Sequence, residues 1–251
     1  MTKVVMIIQA RMGSVRLPGK SMMDLAGSPL VGRILERVKR CSCLDEIVLA
    51  IPDTSENFPL RQLGNAYGIK VYSGPEDDLL ERFYQAANWT SANYIVRLPA
   101  DNATPEPSEI DKIVNHHLSL GRPGFSSNLS LIQDNGYPDG IGAEIFDYDM
   151  LLFAKNKNPD AINREHIHLN YFDYSSGRPV DSDACPVSTV KCPKEFSRPD
   201  LVLDVNTFQQ YKFMKELYAY LYPRNPCFHI TDIIQWYDEI YSNRKENFHG
   251  Q

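Results

Sequence analysis

Residues 4–20 read VVMIIQARMGSVRLPGK, an apolar run of strand length followed at once by a loop with two glycines and three cations. Backbone N–H groups in such a turn converge on an anion, and glycine lets the anion approach closely. The side chains of Arg11, Arg16 and Lys20 would neutralise charge that the backbone dipoles leave uncompensated. This stretch predicts a buried β-strand whose carboxyl end opens into a phosphate-binding loop.

The loop differs from the common nucleotide-binding signatures. It has neither the Gly-Lys-Ser/Thr ending of a P-loop nor the G-x-G-x-x-G pattern of dinucleotide-binding folds. A glycine-containing turn after a first strand can also serve only as a tight corner. Three fixed cations within ten residues, with Pro18 stiffening the turn, favour a nucleoside triphosphate over a neutral ligand.

Length, charge and cysteine usage set the class of protein. The 251 residues carry a net charge of −6, which suits a single α/β domain over 1–251 and argues against nucleic acid as a partner. No apolar run is long enough to cross a membrane and no signal peptide is recognisable, so we expect a cytoplasmic protein. The five cysteines include no Cys-x-x-Cys pair, which favours neither a zinc site nor a disulfide framework.

Strand and helix patterns alternate through the first hundred residues. Strands are predicted near 3–9, 46–51, 69–72 and 94–98, with helices near 29–41, 57–67 and 77–89 between them. This alternation predicts a doubly wound, mostly parallel sheet with helices on both faces. Ligands bind at the carboxyl ends of such strands. The Arg11 loop, Ser73 and Asp101 would therefore lie at one edge of the sheet.

The second half of the chain is less regular. Helices are predicted from 105 to 114 and over 147–157, 162–173, 208–221 and 232–241, and strands over 187–191 and 201–203. An excursion rich in glycine and proline, with short strands, is expected around 120–146.

Five motifs resemble those of one enzyme family. Besides the first loop they are Tyr72–Arg82, Ile95–Asp101, Arg164–His166 and Leu201–Thr207. Together they resemble the CTP-dependent cytidylyltransferases that activate acylneuraminate and deoxy-octulosonate sugar acids. The resemblance is closest to the spore-coat polysaccharide biosynthesis branch. The residues after Asp101 and Asp204 depart from the family pattern, which puts the acceptor in question more than the nucleotide chemistry.

The resemblance implies a nucleotide-diphospho-sugar transferase-like fold with a small β arm, and transfer of CMP from CTP to an anionic acceptor. The acceptor would be a sugar acid or a phosphorylated or phosphonate metabolite for a surface polysaccharide, and pyrophosphate would leave. The excursion at 120–146 would contribute to the acceptor pocket and to a homodimer. Mg²⁺, which takes oxygen ligands and few carboxylates, would be the cofactor.

The resemblance also implies roles for individual residues. Catalysis is assigned to Arg11, Lys20 and Asp101, and Mg²⁺ binding to Asp101 and Asp204. The predicted nucleotide-binding residues are Gln9, Ala10, Arg11, Gly13, Ser14, Arg16, Lys20, Ser73 and Ala100. The predicted acceptor-binding residues are Tyr137, Asp139, Glu144, Arg164 and His166.

Other interpretations stay open on the sequence. An aspartate at a strand end can cap the next helix instead of binding a metal. The same fold could use another nucleoside triphosphate on a sugar phosphate, or bind a nucleotide without catalysis.

Overall fold

The computed structural model describes residues 2–129, 132–157 and 160–242; residues 130–131, within the predicted excursion, lie outside these ranges. The described chain forms one central sheet and two small hairpins. Its strands are β1 (Val4–Gln9), β2 (Asp24–Leu25), β3 (Ser28–Pro29), β4 (Glu46–Pro52), β5 (Lys70–Gly74), β6 (Tyr94–Pro99), β7 (Phe125–Ser127), β8 (Glu144–Asp147), β9 (Phe172–Asp173), β10 (Arg178–Pro179) and β11 (Val187–Ser188). Its α-helices are α1 (Leu30–Val38), α2 (Phe58–Ala66), α3 (Leu79–Thr90), α4 (Pro107–Ser119), α5 (Tyr148–Lys157), α6 (Ala161–Glu165), α7 (Phe208–Leu221) and α8 (Ile230–Trp236).

The central sheet has seven strands in the order β11-β7-β8-β6-β1-β4-β5. Strand β1 lies between β4 and β6 and is parallel to both, and β5 extends the parallel half. Only β8 runs antiparallel to its neighbours, β6 and β7. The predicted doubly wound, mostly parallel sheet is confirmed, including its first four strands.

The apolar run of β1 explains its central position. Val4, Met6 and Ile8 are buried in one apolar cluster, and Val5 and Ile7 in a second cluster on the opposite face. Side chains alternate across a strand, so a strand covered on both faces reads as a continuous apolar run. Helices therefore cover both faces of the sheet, as the sequence predicts.

Two predictions for the second half are wrong. The predicted strand 201–203 is replaced by isolated bridges that pair Val202 with Asp139 and Asp204 with Asn102. The predicted helix 162–173 ends at Glu165 and is followed by a 3-10 helix, Ile167–Asn170, and by β9. The Asn170 amide donates to the carbonyls of Asn163 and Ile167, so this side chain satisfies backbone groups without a continuous α-helix.

The predicted excursion contributes β7 and β8 to the central sheet. The small antiparallel pairs elsewhere are β2 with β3 and β9 with β10. The predicted strand 187–191 is shortened to β11, and the helix predicted over 232–241 begins earlier, as α8, and continues as a π-helix, Tyr237–Tyr241. Within the described ranges, no helix is both long and apolar enough to cross a membrane.

Candidate active site

A cavity of about 840 Å³ lies at the carboxyl ends of β1 and β6. Its wall is built from the loop after β1, the loop after β6, the start of α3, the segment around α6 and residues near Asp204. The loop that follows the first strand and the aspartate that follows the fourth predicted strand thus share one site. This is the sheet edge at which parallel α/β folds bind ligands.

The loop after β1 is held in shape by its own backbone. The Met12 carbonyl accepts from the N–H groups of Ser14 and Gly19, at 2.9 and 3.0 Å. Gly19 has a φ of 71°, a conformation that glycine adopts without strain. The Asn57 side chain fixes the loop from outside by accepting from the Met12 N–H at 2.9 Å. The loop cations therefore project from a preformed turn.

Lys20 joins the first loop to two distant segments. Its ammonium donates to Asp101 Oδ2 at 3.0 Å, to the Val205 carbonyl at 2.8 Å and to Asn206 Oδ1 at 3.1 Å. Arg16 also donates to Asn206 Oδ1, at 2.7 Å. The cations are thus placed beside the carboxylates that the sequence assigns to metal binding.

Three carboxylates meet in the cavity. The Val205 N–H donates to the Asp101 carbonyl at 2.9 Å, and Asp139 exchanges backbone hydrogen bonds with residues 201 and 203. Burial and the negative charges of Asp204 and Asp101 raise the pKa of Asp139 to about 6. The pKa of Asp204 is raised by burial and by Asp101. This mutual repulsion makes the site attractive to a cation, although no three or more His, Cys, Asp and Glu side chains in the described chain are arranged to hold a metal by themselves.

The cavity lining also contains a buried ion pair. Arg97 on β6 donates to Glu144 on β8 at 2.5 Å, and the two side chains are 5% and 1% exposed. Arg97 also donates to Gln9 Oε1 at 3.0 Å, and the Tyr174 hydroxyl donates to the second Glu144 oxygen at 3.0 Å. Both oxygens of the Glu144 carboxylate therefore accept hydrogen bonds from side chains of the protein.

Two basic side chains on the cavity wall have a buried nitrogen without a hydrogen-bond partner among the described residues: Nε of Arg82 and Nδ1 of His168. Burial and the nearby charge of Arg11 lower the pKa of Arg82 to about 10. Burial lowers the pKa of His168 to about 4, which makes its imidazole neutral at physiological pH. Across the cavity mouth, Arg11 forms an exposed ion pair with Glu165 at 3.2 Å.

Comparison with known proteins decides the family. A family model described as cytidylyltransferase matches residues 5–176, more than half of the chain. This protein belongs to the cytidylyltransferase family.

Individual relatives agree with the match. The spore coat polysaccharide biosynthesis protein SpsF of Bacillus subtilis is 27% identical over 223 residues, which cover 87% of each chain. The 3-deoxy-manno-octulosonate cytidylyltransferase of an Anaeromyxobacter species is 33% identical over 141 residues, covering 53% of this chain and 57% of the relative. A solved cytidylyltransferase from Leptospira borgpetersenii matches with a TM-score of 0.84 at 25% identity, covering 96% of both chains. The family and the fold predicted from the sequence are confirmed.

Most of the predicted site residues of this cytidylyltransferase line the one cavity. They are Gln9, Ala10, Arg11, Ser14, Arg16, Lys20, Ala100, Asp101, Asp139, Glu144, His166 and Asp204. Asp139, predicted to bind the acceptor, lies beside the predicted metal ligands, because the bridge to Val202 brings its loop there. Glu144, also predicted to bind the acceptor, lines the cavity and forms a buried ion pair with Arg97.

Four predicted residues are not part of the cavity lining: Gly13, Ser73, Tyr137 and Arg164. Tyr137 is fully buried and donates to Glu109 at 2.5 Å, so it cannot contact an acceptor. Arg164 pairs with Asp78 at the start of α3, and the Ser73 hydroxyl accepts from Arg61. The Tyr137, Arg164 and Ser73 side chains therefore bond to other residues of the protein around the cavity.

Sequence reasoning missed several cavity residues. Arg97 reads as one polar residue within an apolar strand, and only its pairing with β8 places it in the site. His168 lies on a segment predicted as a continuous helix, where its direction could not be inferred. Asn206 could have been noticed in the sequence, because it directly precedes the Thr207 and Gln210 capping box that begins α7.

Proposed function

We propose that this cytidylyltransferase transfers CMP from CTP to an anionic acceptor, a sugar acid or a phosphorylated or phosphonate metabolite, with release of pyrophosphate. The product would serve a surface polysaccharide. The observation that carries the proposal is one cavity lined by Arg11, Arg16 and Lys20 together with Asp101 and Asp204. Family membership supports the reaction class.

The basic loop fits the triphosphate. Arg11, Arg16 and Lys20 would neutralise its charge and stabilise the pyrophosphate as it leaves. The preformed turn lowers the reorganisation that binding requires, because the Met12 carbonyl already closes the loop. The cytidine would lie toward the backbone at Gln9, Ala10 and Ala100, which line the same cavity.

Asp101 and Asp204 fit a divalent cation, and we propose Mg²⁺. Their carboxylates are close enough for Asp101 to raise the pKa of Asp204, and a bound cation would relieve that repulsion. Mg²⁺ takes few protein carboxylates and completes its shell with water and phosphate oxygens. When bound, the ion would supply Lewis-acid polarisation of the α-phosphate. Asp204 is held in place by hydrogen bonds from Asn206 and from Gln210.

Pyrophosphate release tests the proposal. The purified protein is mixed with each of the four ribonucleoside triphosphates and Mg²⁺, against a panel of sugar acids and small phosphates or phosphonates. We expect release with CTP and one acceptor class. Release with another nucleotide and a sugar phosphate would favour the alternative nucleotidyltransferase. Binding of CTP without release for any acceptor would favour a non-catalytic nucleotide-binding protein.

A matched pair of variants tests the metal site. Asp101→Asn keeps the size of the side chain but removes the charge, and we expect turnover to fall by about a hundredfold or more. Asp53→Asn makes the same change at an exposed position outside the cavity and should leave turnover unchanged. Full activity in both Asp101→Asn and Asp204→Asn would refute the metal assignment.

The proposal includes a homodimer in the cytoplasm. It rests on the family resemblance of the 120–146 region. Analytical ultracentrifugation at micromolar concentration should give twice the 28.6 kDa chain mass. A single species at the chain mass would refute the dimer without affecting the reaction.

A further inference from the structure

Asn206 lies on the cavity wall and contacts groups of opposite charge. Its amide oxygen accepts from Arg16 at 2.7 Å and from the Lys20 ammonium at 3.1 Å. Its amide nitrogen donates to Oδ2 of Asp204. One neutral, planar side chain therefore bonds to both cations and to the carboxylate, with its acceptor toward the cations and its donor toward the anion.

The cations and the carboxylate that share Asn206 do not pair with each other. The Lys20 ion pair is with Asp101, and within the described chain Arg16 and Asp204 form no ion pair. Burial and Asp101 raise the pKa of Asp204, and Lys20 and Arg16 oppose this rise without reversing it. The described part of the protein thus leaves Asp204 without a cation in direct contact, although two cations are bonded to the neighbouring amide.

The chemistry of residue 206 explains this arrangement. A carboxamide has an acceptor oxygen and two N–H donors but no charge, so it can bond to cations and to a carboxylate at once. A carboxylate at this position would pair with the cations and repel Asp204. The exposed Arg16 side chain has no other hydrogen bond in the described ranges, so without the amide nothing would hold it away from a nearby carboxylate.

We propose that Asn206 is a positioning residue that acts as a neutral spacer and keeps Arg16 and Lys20 from neutralising Asp204. The cations then stay available to the triphosphate, and the carboxylate stays available to the divalent cation. This rests on the proposed function and adds to it the side chain that separates the two subsites. Because the spacer already holds the opposite charges apart, no ion pair between them has to break when nucleotide and cation bind.

Binding of Mn²⁺ alone to the nucleotide-free full chain is the first test, measured by electron paramagnetic resonance of the free ion. Mn²⁺ prefers the same oxygen ligands as Mg²⁺. Asn206→Ala should weaken Mn²⁺ binding about twofold to fivefold, the size of a partly screened ion pair between Arg16 and Asp204. Asn65→Ala, at an exposed position outside the cavity lining, is the control and should bind Mn²⁺ like the parent. An unchanged affinity in Asn206→Ala, or no Mn²⁺ binding by the parent, would overturn the proposal.

A double-variant cycle separates the spacer from a merely structural role. Arg16→Gln removes the cation that would pair with Asp204 once the amide is lost. In the Arg16→Gln background, Asn206→Ala should therefore weaken Mn²⁺ binding by less than about 1.5-fold. If Asn206 only supports the local fold, its loss has the same effect with or without Arg16, and the proposal fails.

Asn206→Asp should change the affinities for CTP and for Mn²⁺ differently. The added carboxylate would pair with Arg16 and Lys20 and compete with the triphosphate. We expect CTP binding in EDTA, measured by isothermal titration calorimetry, to weaken about tenfold, as for competition by a charged acceptor. Mn²⁺ binding should not weaken, because the variant adds an oxygen ligand beside Asp204. Loss of both affinities would contradict the spacer role.

The two proposals fail in different ways. Mn²⁺ binding is measured without CTP, and turnover of CTP is measured on the parent protein. If the parent turns over CTP while Asn206→Ala binds Mn²⁺ with unchanged affinity, only the spacer role fails. If no nucleotide is turned over but the Mn²⁺ results are as expected, the proposed reaction fails and the separation of charges by Asn206 stands.

Discussion

Lys20 and Asp101 are 81 positions apart in the chain, yet the lysine ammonium donates to the aspartate carboxylate at 3.0 Å. The side chains are 13% and 24% exposed, so solvent screens their interaction only in part. This pair joins the loop after β1 to the predicted metal ligand after β6. In the proposed reaction this lysine would stabilise the charge that develops on the leaving pyrophosphate.

Lys20→Met should reduce kcat more than it reduces stability. The variant removes transition-state charge neutralisation, which is worth about a hundredfold or more in rate for a donor so placed. Steady-state pyrophosphate release measures the effect. Lys215→Met, at an exposed position on α7, is the control and should be active. A Lys20→Met protein with unchanged kcat would exclude the lysine from the reaction.

Glu144→Gln should destabilise the protein by about 3 kcal/mol, because it leaves the buried Arg97 charge uncompensated. Urea unfolding monitored by circular dichroism measures the loss. Lys157→Met, which removes a pair with Asp181 that is 54% and 38% exposed, should cost less than about 1 kcal/mol. Similar free energies of unfolding for both variants would contradict a structural role for Glu144.

Glu165→Gln should tighten CTP binding. Arg11 must exchange its exposed pair with Glu165 for the triphosphate, and such pairs are worth roughly 0.2–1 kcal/mol. The expected gain is therefore about 1.4-fold to fivefold in Kd by isothermal titration calorimetry. Glu195→Gln makes the same change in charge on an exposed residue outside the cavity lining. Equal tightening in the control would indicate a general charge effect.

Gly140→Ala should lower both the stability of the protein and its turnover. Gly140 has a φ of 92°, and a Cβ atom there would lie 2.9 Å from the Leu203 carbonyl carbon and 3.0 Å from the Asp204 nitrogen. The clash would push Asp139 and Asp204 apart and cost about 2 kcal/mol or more. Thermal unfolding and turnover are both measured.

Gly68→Ala is the matched control for that variant. Its φ is 65°, but nothing lies within 4 Å of the added Cβ. Only the backbone strain of about 1–2 kcal/mol should appear, with turnover preserved. Equal losses of activity in the two glycine variants would show that the close approach to Asp204 is unimportant.

His168 should make stability depend on pH between about 6.5 and 4. Its folded pKa of about 4 lies below the ordinary value of 6.5, so the unfolded chain binds the extra proton in this range. The contribution of His168 therefore leaves the free energy of unfolding highest above pH 6.5. That free energy falls with decreasing pH, by about 1–2 kcal/mol from pH 7 to pH 5. Urea unfolding at pH 7 and pH 5 should show a smaller fall in the free energy of unfolding for His168→Asn than for the parent protein. Identical falls would contradict a depressed pKa.

The sequence by itself determined the family, the parallel core of the sheet and the cation-rich loop after β1. These follow from local patterns: a continuous apolar run for β1, and cations next to glycines for the loop. Asp101 belongs to the same group, because the strand before it is apolar and parallel strands end at one edge.

Tertiary structure alone decided which residues meet around Arg97 and Glu144 in the cavity. Arg97 and Glu144 become partners only when β6 pairs with β8, and Asp139 comes close to Asp101 and Asp204 only through its bridge to Val202. Tyr137 and Arg164 looked available in the sequence, but burial and an ion pair with Asp78 remove them from the site. Long-range pairing sets these positions, and no local sequence pattern encodes which distant side chain will neutralise a buried charge.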